Sequence, residues 1–461
     1  MIGPFFDRMR SIASPDFNRW LVPPAALSIH LCIGQVYAFS VFNLPLNRLI
    51  GKTSAAEADW SIPAIGWIFS IALAVLGLSA AILGPWVESA GPRRAMAVAT
   101  CCFSGGFFVA ALGISMHALW LVYLGYGVLG GIGLGIGYIS PVSTLIKWFP
   151  DRPGMATGMA IMGFGGGAMI GSPLAVWLLS AFRVVDPQNI VLDDGVMRTF
   201  MAMGALYGLF MVFGVLTIRL PPPGWRPPGF THPEATRRLV AAHDVGVDRA
   251  WRTPQFWLLW IVLCMNVTAG IGVLGQASLM IQEMFSDRHI DAKAAAGFVG
   301  LLSLANLAGR FLWSSLSDMI GRKSVYAIFF VLGSVLYACI PTLGMRHNLP
   351  LFVVSFCIIL SMYGGGFAAI PAYLRDLFGG QQVGAIHGRL LTAWSVAAVF
   401  GPITVNYLRE YQIAHGVAKA EAYSMTMYIM AGLLVIGYLC NSLVREVKSH
   451  HHTTSMPSPE V

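Results

Sequence analysis

One arginine interrupts a stretch that is otherwise apolar enough to cross a membrane. Arg310 lies inside the run Ala294–Leu316, and a cation at that depth costs about 2.5–3.5 kcal/mol on insertion scales. A charge kept at such a cost marks a binding position. The planar guanidinium suits a carboxylate, which it meets through two parallel, charge-assisted hydrogen bonds. The competing reading is an arginine that snorkels or pairs helices. Asp318 marks the polar end of the run, about 12 Å away at ~1.5 Å per residue, which is deeper than snorkelling favours. Arg310 therefore reads as an anion holder. His30 is the other titratable group of interest. It precedes Tyr37 by seven residues and shares its helical face. A ring that titrates near neutrality can carry a proton with an anion; alternatively, His30 hydrogen-bonds a neighbouring helix. The acids inform by their positions. None of the 21 Asp and Glu falls in the middle of a span, and Glu283, Asp318 and Asp376 sit near helix ends.

The elements that hold these residues are membrane helices. The 461-residue chain is 56% hydrophobic and 11% charged, far below the charged fraction of soluble domains. Twelve apolar segments of spanning length can be counted, among them Leu21–Leu44, Leu119–Leu145, Phe256–Ile281, Ala294–Leu316 and Ala385–Leu408. They divide the chain into a tail at 1–20, a six-helix half at 21–220, a Pro- and Arg-rich linker at 221–252, a second half at 253–445 and a disordered tail at 446–461. Loops on the side of both termini carry roughly twice the Lys and Arg of the opposite loops, which places both termini in the cytoplasm. The net charge of +8 is spread over these loops and reads as topology. The expected partner is the lipid bilayer, with no nucleic acid. The seven cysteines lie in apolar runs as packing residues. His450, His451 and His452 are a weak metal signal, and neither a metal nor a cofactor is expected. No intramembrane Ser/His pair or His/acid cluster supports a membrane enzyme. A sensor would need a signalling domain, for which linker and tail leave no room.

An internal repeat supports the division. Glu88, Gly91, Arg93 and Arg94 after the second segment recur as Asp318, Gly321, Arg322 and Lys323 after the eighth. Gly154, Gly158 and Gly171 recur as Gly384, Gly388 and Gly401 at the same shift. Ser14-Pro15 and Thr253-Pro254 each read as a helix cap followed by proline at the first helical position. Halves that both start on one side are parallel repeats about an axis along the membrane normal, an arrangement used for alternating access around a midplane site.

At Gly84–Arg94 and Ser314–Lys323 the chain resembles the major facilitator superfamily, whose loop motif places an acid, a glycine and basic residues in that order. The acid can cap the next helix or pair with the basic residues in one transport state. The first copy departs from the motif, with Glu88 for aspartate and Pro92 at a usually basic position. Arg252–Trp257 and Lys147–Arg152 are similar to motifs of its oxalate/formate antiporter family, which is like the monocarboxylate transporters.

The resemblance implies an all-α membrane protein of two six-helix bundles and a secondary transporter of small carboxylates by anion exchange or proton-coupled transport. It implies that Arg310 binds the carboxylate, with Tyr37, Tyr363, Phe367, Trp394 and Asn306 around it. Tyr37 and Tyr363 also read as packing aromatics, and so does Trp394. Trp394 stands where the oxalate carrier has a second cation, which argues for a monocarboxylate such as formate, lactate or pyruvate, because an unpaired second carboxylate would be poorly held. Asn306 stands where proton-coupled carriers resemble one another in having an aspartate, which leaves His30 as the candidate for coupling. A bacterial inner membrane and a monomer are also expected. The alternatives are a carrier of another anion, such as nitrate or a larger organic acid, and a drug exporter.

Overall fold

The computed structural model describes residues 3–52, 54–188, 191–229, 244–274, 276–290 and 292–448. His450, His451 and His452, and Arg237 and Arg238 of the linker, lie outside the described residues. Twelve long helical stretches build two bundles. The first holds α1 (Arg19–Leu46), α2 (Ile62–Ala90), α3 (Pro92–Ser115), α4 (Leu119–Trp148), α5 (Pro153–Phe182) and α6 (Val196–Thr217). The second holds α7 (Pro254–Leu274), α8 (Ala292–Ile320), α9 (Arg322–Met345), α10 (Leu349–Phe378), α11 (Val383–Ala414) and α12 (Ser424–Leu443). Eleven of them are long and apolar enough to span by length and composition. The remaining one, α8, carries Arg310 and is 29 residues long, about 43 Å at ~1.5 Å per residue.

The helix ends obey local rules. Ser61 caps α2 by accepting from the Ala64 amide, and Asn348 caps α10 by accepting from Leu351. Thr253 Oγ1 accepts from the Phe256 amide at 3.3 Å, with Pro254 opening α7. The matching Ser14-Pro15 forms a turn instead, with the Phe17 amide on the Ser14 carbonyl; Asn18 takes over the capping of α1 through the Trp20 amide. The repeated glycines Gly91 and Gly321 both hold positive φ, 82° and 91°, where a side chain would be strained. They turn the chain between α2 and α3 and between α8 and α9.

Three spans are irregular near the middle. The seventh breaks after Leu274 and resumes as Ala277–Met284. In α11 the helix bends around Leu391, and α1 tightens to a 3-10 form over Gly34–Phe42, the stretch that holds Tyr37. Gly34 has no room for a side chain: a Cβ there would lie 2.3 Å from the Phe164 carbonyl oxygen of α5.

The halves meet along two related seams, α5 against α8 and α2 against α11. Repeated glycines form both. A Cβ on Gly154 would strike the Ser314 carbonyl at 2.2 Å, and one on Gly388 the Ala80 carbonyl at 2.2 Å. Among the described residues, hydrogen bonds between the halves gather towards the end where α1 starts and α12 finishes, here called the terminal side. Thr157 donates to the Ala368 carbonyl, Arg375 to that of Pro150, and the Gly384 amide to Glu88. The protein is closed on this side.

Candidate functional site

Arg310 is fully buried where α5, α8 and α10 meet. Two of its nitrogens are fixed: Nε donates to Asn306 Oδ1 at 3.1 Å, and Nη1 to the Ile161 carbonyl at 3.2 Å. Nη2 is buried without a partner. The guanidinium carbon sits 5.7 Å from the Phe164 ring centre and 5.5 Å from that of Phe367, so two aromatic faces steady the charge. Glycine makes the space. A Cβ on Gly165 would lie 2.8 Å from Arg310 Nε, and one on Gly364 would lie 2.5 Å from Asn306 Oδ1. Among the described residues no carboxylate is in ion-pair contact with Arg310, whereas the buried Arg322 has two, Asp318 and Asp376.

The expected aromatics do assemble here. Trp394 packs 4.7 Å from Phe367, 5.4 Å from Phe164 and 6.3 Å from Tyr37, centre to centre. Tyr363 packs on Phe367 at 5.4 Å, and its hydroxyl is 3.4 Å from that of Tyr37. Trp394 Nε1 is a buried donor without a partner. The site therefore holds one unbalanced cation with a spare N–H, a neutral indole N–H and two hydroxyls, walled by rings. Asn306 is occupied in orienting the arginine. His30 lies beside the cage rather than in it: Nδ1 is 3.3 Å from the Ala26 carbonyl, and Nε2 is unpartnered.

Sequence reasoning missed Phe164 and the Ile161 carbonyl, both on α5. Their signal was hidden because α5 reads as a glycine-rich packing helix, and nothing in its sequence says which face meets Arg310. It also missed Tyr138, which packs on His30 and Trp394, and left His387, which packs on Tyr138, unplaced near the start of α11.

The repeat acids act across the halves rather than on the next helix. Asp318 accepts from the Gly154 and Met155 amides, at 2.9 and 2.8 Å, at the start of α5. Glu88 accepts from the Gly384 amide at 3.0 Å at the start of α11. Each acid thus satisfies free amides and the positive end of a helix in the other half. Arg322 binds Asp318 and Asp376, but Arg93 and Arg94 do not serve Glu88. Arg93 donates to the Arg10 carbonyl at 2.9 Å, Arg94 is exposed, and Lys147 pairs with Glu88 at 2.5 Å instead. Pro92 fixes the backbone where the other copy has Arg322, so the partner comes from α4. Lys323 donates to the Ser442 and Val444 carbonyls at the end of α12.

Two bundles of spanning helices around a buried cation have the architecture of an integral membrane transporter. The Major Facilitator Superfamily family model matches residues 22–285 and 266–460, and the chain belongs to that superfamily. It is 26% identical over 382–388 aligned residues to each of two bacterial relatives. One is an uncharacterized MFS-type transporter of Escherichia coli, YhjX, with 83% of this chain and 86% of that one covered. The other is the oxalate:formate antiporter of Oxalobacter formigenes, with 83% of each covered. The apicoplast pyruvate carrier 1 of Toxoplasma gondii is 24% identical, with 78% of each covered. These likenesses agree with the motif-level resemblance to the oxalate/formate antiporter family.

Proposed function

We propose that this protein carries small monocarboxylate anions, such as formate, lactate or pyruvate, across the membrane by alternating access. The observation that carries the reading is the buried Arg310, held by Asn306 and Ile161 with Nη2 left unpaired. A monoanion balances its single charge, while Trp394, Tyr37 and Tyr363 offer neutral donors and apolar faces to a short carbon skeleton. An oxalate dianion would leave one carboxylate facing neutral donors in a low-dielectric cage, at a cost. Relatives named for oxalate, formate and pyruvate transport support the substrate class. Both termini are assigned to the cytoplasm of a bacterial inner membrane, as the loop charges favour. The Glu88 and Asp318 clusters then act as cytoplasmic latches that hold the outward-facing form. The halves span 21–220 and 253–445, and one chain suffices for transport. The cycle is anion exchange or proton-coupled transport, and His30 offers a route to the second.

The test is uptake of labelled formate, lactate, pyruvate and oxalate into proteoliposomes, by wild type, Arg310→Lys and Arg310→Gln. Monocarboxylate uptake is expected to be lost in Arg310→Gln and to fall sharply in Arg310→Lys, which keeps the charge but lacks the fork. Uptake indifferent to Arg310, or of oxalate alone, would refute the reading.

A further inference from the structure

Beside the anion cage lies a second set of buried polar groups for which packing gives no account. His30 Nε2, both ring nitrogens of His387 and the Tyr138 hydroxyl have no hydrogen-bond partner, and all three residues are at most 1% exposed. They come from α1, α4 and α11, so the set straddles the two halves. Tyr138 is the hub, with its ring centre 5.4 Å from His30 and 5.8 Å from His387. The same ring lies 5.3 Å from Phe164 and 5.5 Å from Trp394, the walls of the anion cage. Buried polar groups are nearly always paired, and four unpaired atoms on three neighbouring rings point to something that binds there during the cycle.

We propose that His30, Tyr138 and His387 form a proton-binding site that loads together with the carboxylate, making the carrier a proton–carboxylate symporter. The inference rests on the carboxylate reading above. The step is a protonation: the lone pair of an unpartnered imidazole nitrogen takes a proton from water, an N–H bond forms, and the ring gains one positive charge. The reverse step returns the proton to water on the other side. The second imidazole and the tyrosine hydroxyl supply acceptors for the new N–H.

The charges around the trio give the coupling its direction. Arg310 acts on His30, and His30 on His387. The surrounding helices bring Tyr37 and Cys32 from α1 and Tyr363 from α10. At the terminal end stands Glu88 of α2, already held by Ser143, Lys147 and the Gly384 amide. In that end of α5, Gly163 and Phe164 add nothing that titrates. Neither histidine is hydrogen-bonded to an acid. In the empty site burial is the first obstacle to a charge on either ring, and for His30 the like charge of Arg310 adds to it. A carboxylate on Arg310 removes the like-charge part, so anion and proton favour each other's binding.

Position links the trio to the transport cycle. His387 belongs to one half, and His30 and Tyr138 to the other. Parting of α11 from α2 and α4 on the terminal side would separate His387 from Tyr138 and admit water to both. Proton and anion would then leave on the same side.

The test uses pyruvate as the probe. Purified wild type, in weak buffer between pH 5 and 7, is expected to take up close to one proton per pyruvate bound. In proteoliposomes, a gradient of one pH unit should accumulate labelled pyruvate about tenfold, since one-to-one symport converts a tenfold proton ratio into an equal anion ratio. In H30Q/H387Q the ratio of gradient-driven accumulation to equal-pH exchange is expected to fall to about one. Wild type that binds or exchanges pyruvate without taking up protons overturns the proton site and leaves the carboxylate reading standing. So does an H30Q/H387Q carrier that still accumulates. Wild type that handles none of formate, lactate, pyruvate or oxalate overturns both. Should H30Q/H387Q fail to reach the membrane, proton uptake by wild type decides the matter.

Discussion

Replacing Asn306 by aspartate tests whether the unbalanced charge on Arg310 is what holds the anion. Asn306 Oδ1 already accepts from Arg310 Nε at 3.1 Å, so Asn306→Asp puts a carboxylate into that contact with almost no change of shape. Opposite charges about 4 Å apart attract by about 4 kcal/mol at an effective dielectric near 20. The new acid contacts Nε and leaves Nη2 free, so the incoming anion loses only part of this. If a third survives as a net cost, binding weakens about tenfold, at ~1.4 kcal/mol per factor of ten. The sign with pH follows. A proton on the introduced carboxyl would restore a neutral contact to Arg310, so N306D should take up a proton with its substrate. The assay is pyruvate binding to purified wild type and Asn306→Asp at pH 8 and pH 5.5. The variant is expected to bind at least tenfold more weakly at pH 8 and to recover most of the difference at pH 5.5. Equal affinity at pH 8, or a deficit that does not shrink on acidification, would refute the reasoning.

Three further outcomes follow from the geometry. Trp394→Phe keeps a ring but removes the unpartnered Nε1; a buried unpaired donor costs about 1–3 kcal/mol, so the empty variant should melt higher while pyruvate stabilises it less, as thermal unfolding would report. Asp318→Asn removes the charge that binds Arg322 and faces the Gly154 and Met155 amides. Losing about 1.5–3 kcal/mol should open the terminal side about tenfold or more, read as faster alkylation in T157C/D318N than in T157C alone. In the loop before α2, burial opposes the charge on Asp59, but the Ala56, Ile50 and Gly51 amides outweigh it and hold its carboxyl below the usual range. A depressed folded value means the stabilisation is full above the unfolded pKa, about 3.9, and is lost as pH falls through the folded one. Hydrogen exchange at Ile50 and Gly51 should therefore rise below about pH 4, and D59N should show the fast rate at neutral pH.

Much of this was legible in the sequence because a bilayer imposes strict rules on it. Spanning length, loop charge and the 230-residue echo of Glu88–Arg94 in Asp318–Lys323 set the number of helices, the parallel halves and the glycine turns. Arg310 was legible for the same reason, since a charge in hydrocarbon is costly unless it has work to do. Its partners were not. Phe164, Ile161, Tyr138 and His387 sit on helices whose faces are nearly all apolar, and periodicity there does not say which neighbour each face meets. The departure of the first motif copy was legible, but its consequence was not: Glu88 takes Lys147 while Asp318 takes Arg322, because Pro92 replaces a cation and packing supplied another. The sequence by itself determined a twelve-helix membrane carrier with an arginine inside one span. Only the tertiary structure decided what surrounds that cation, because the contacts of α5 and α8 come from residues more than 140 positions apart, brought together by how the two bundles close.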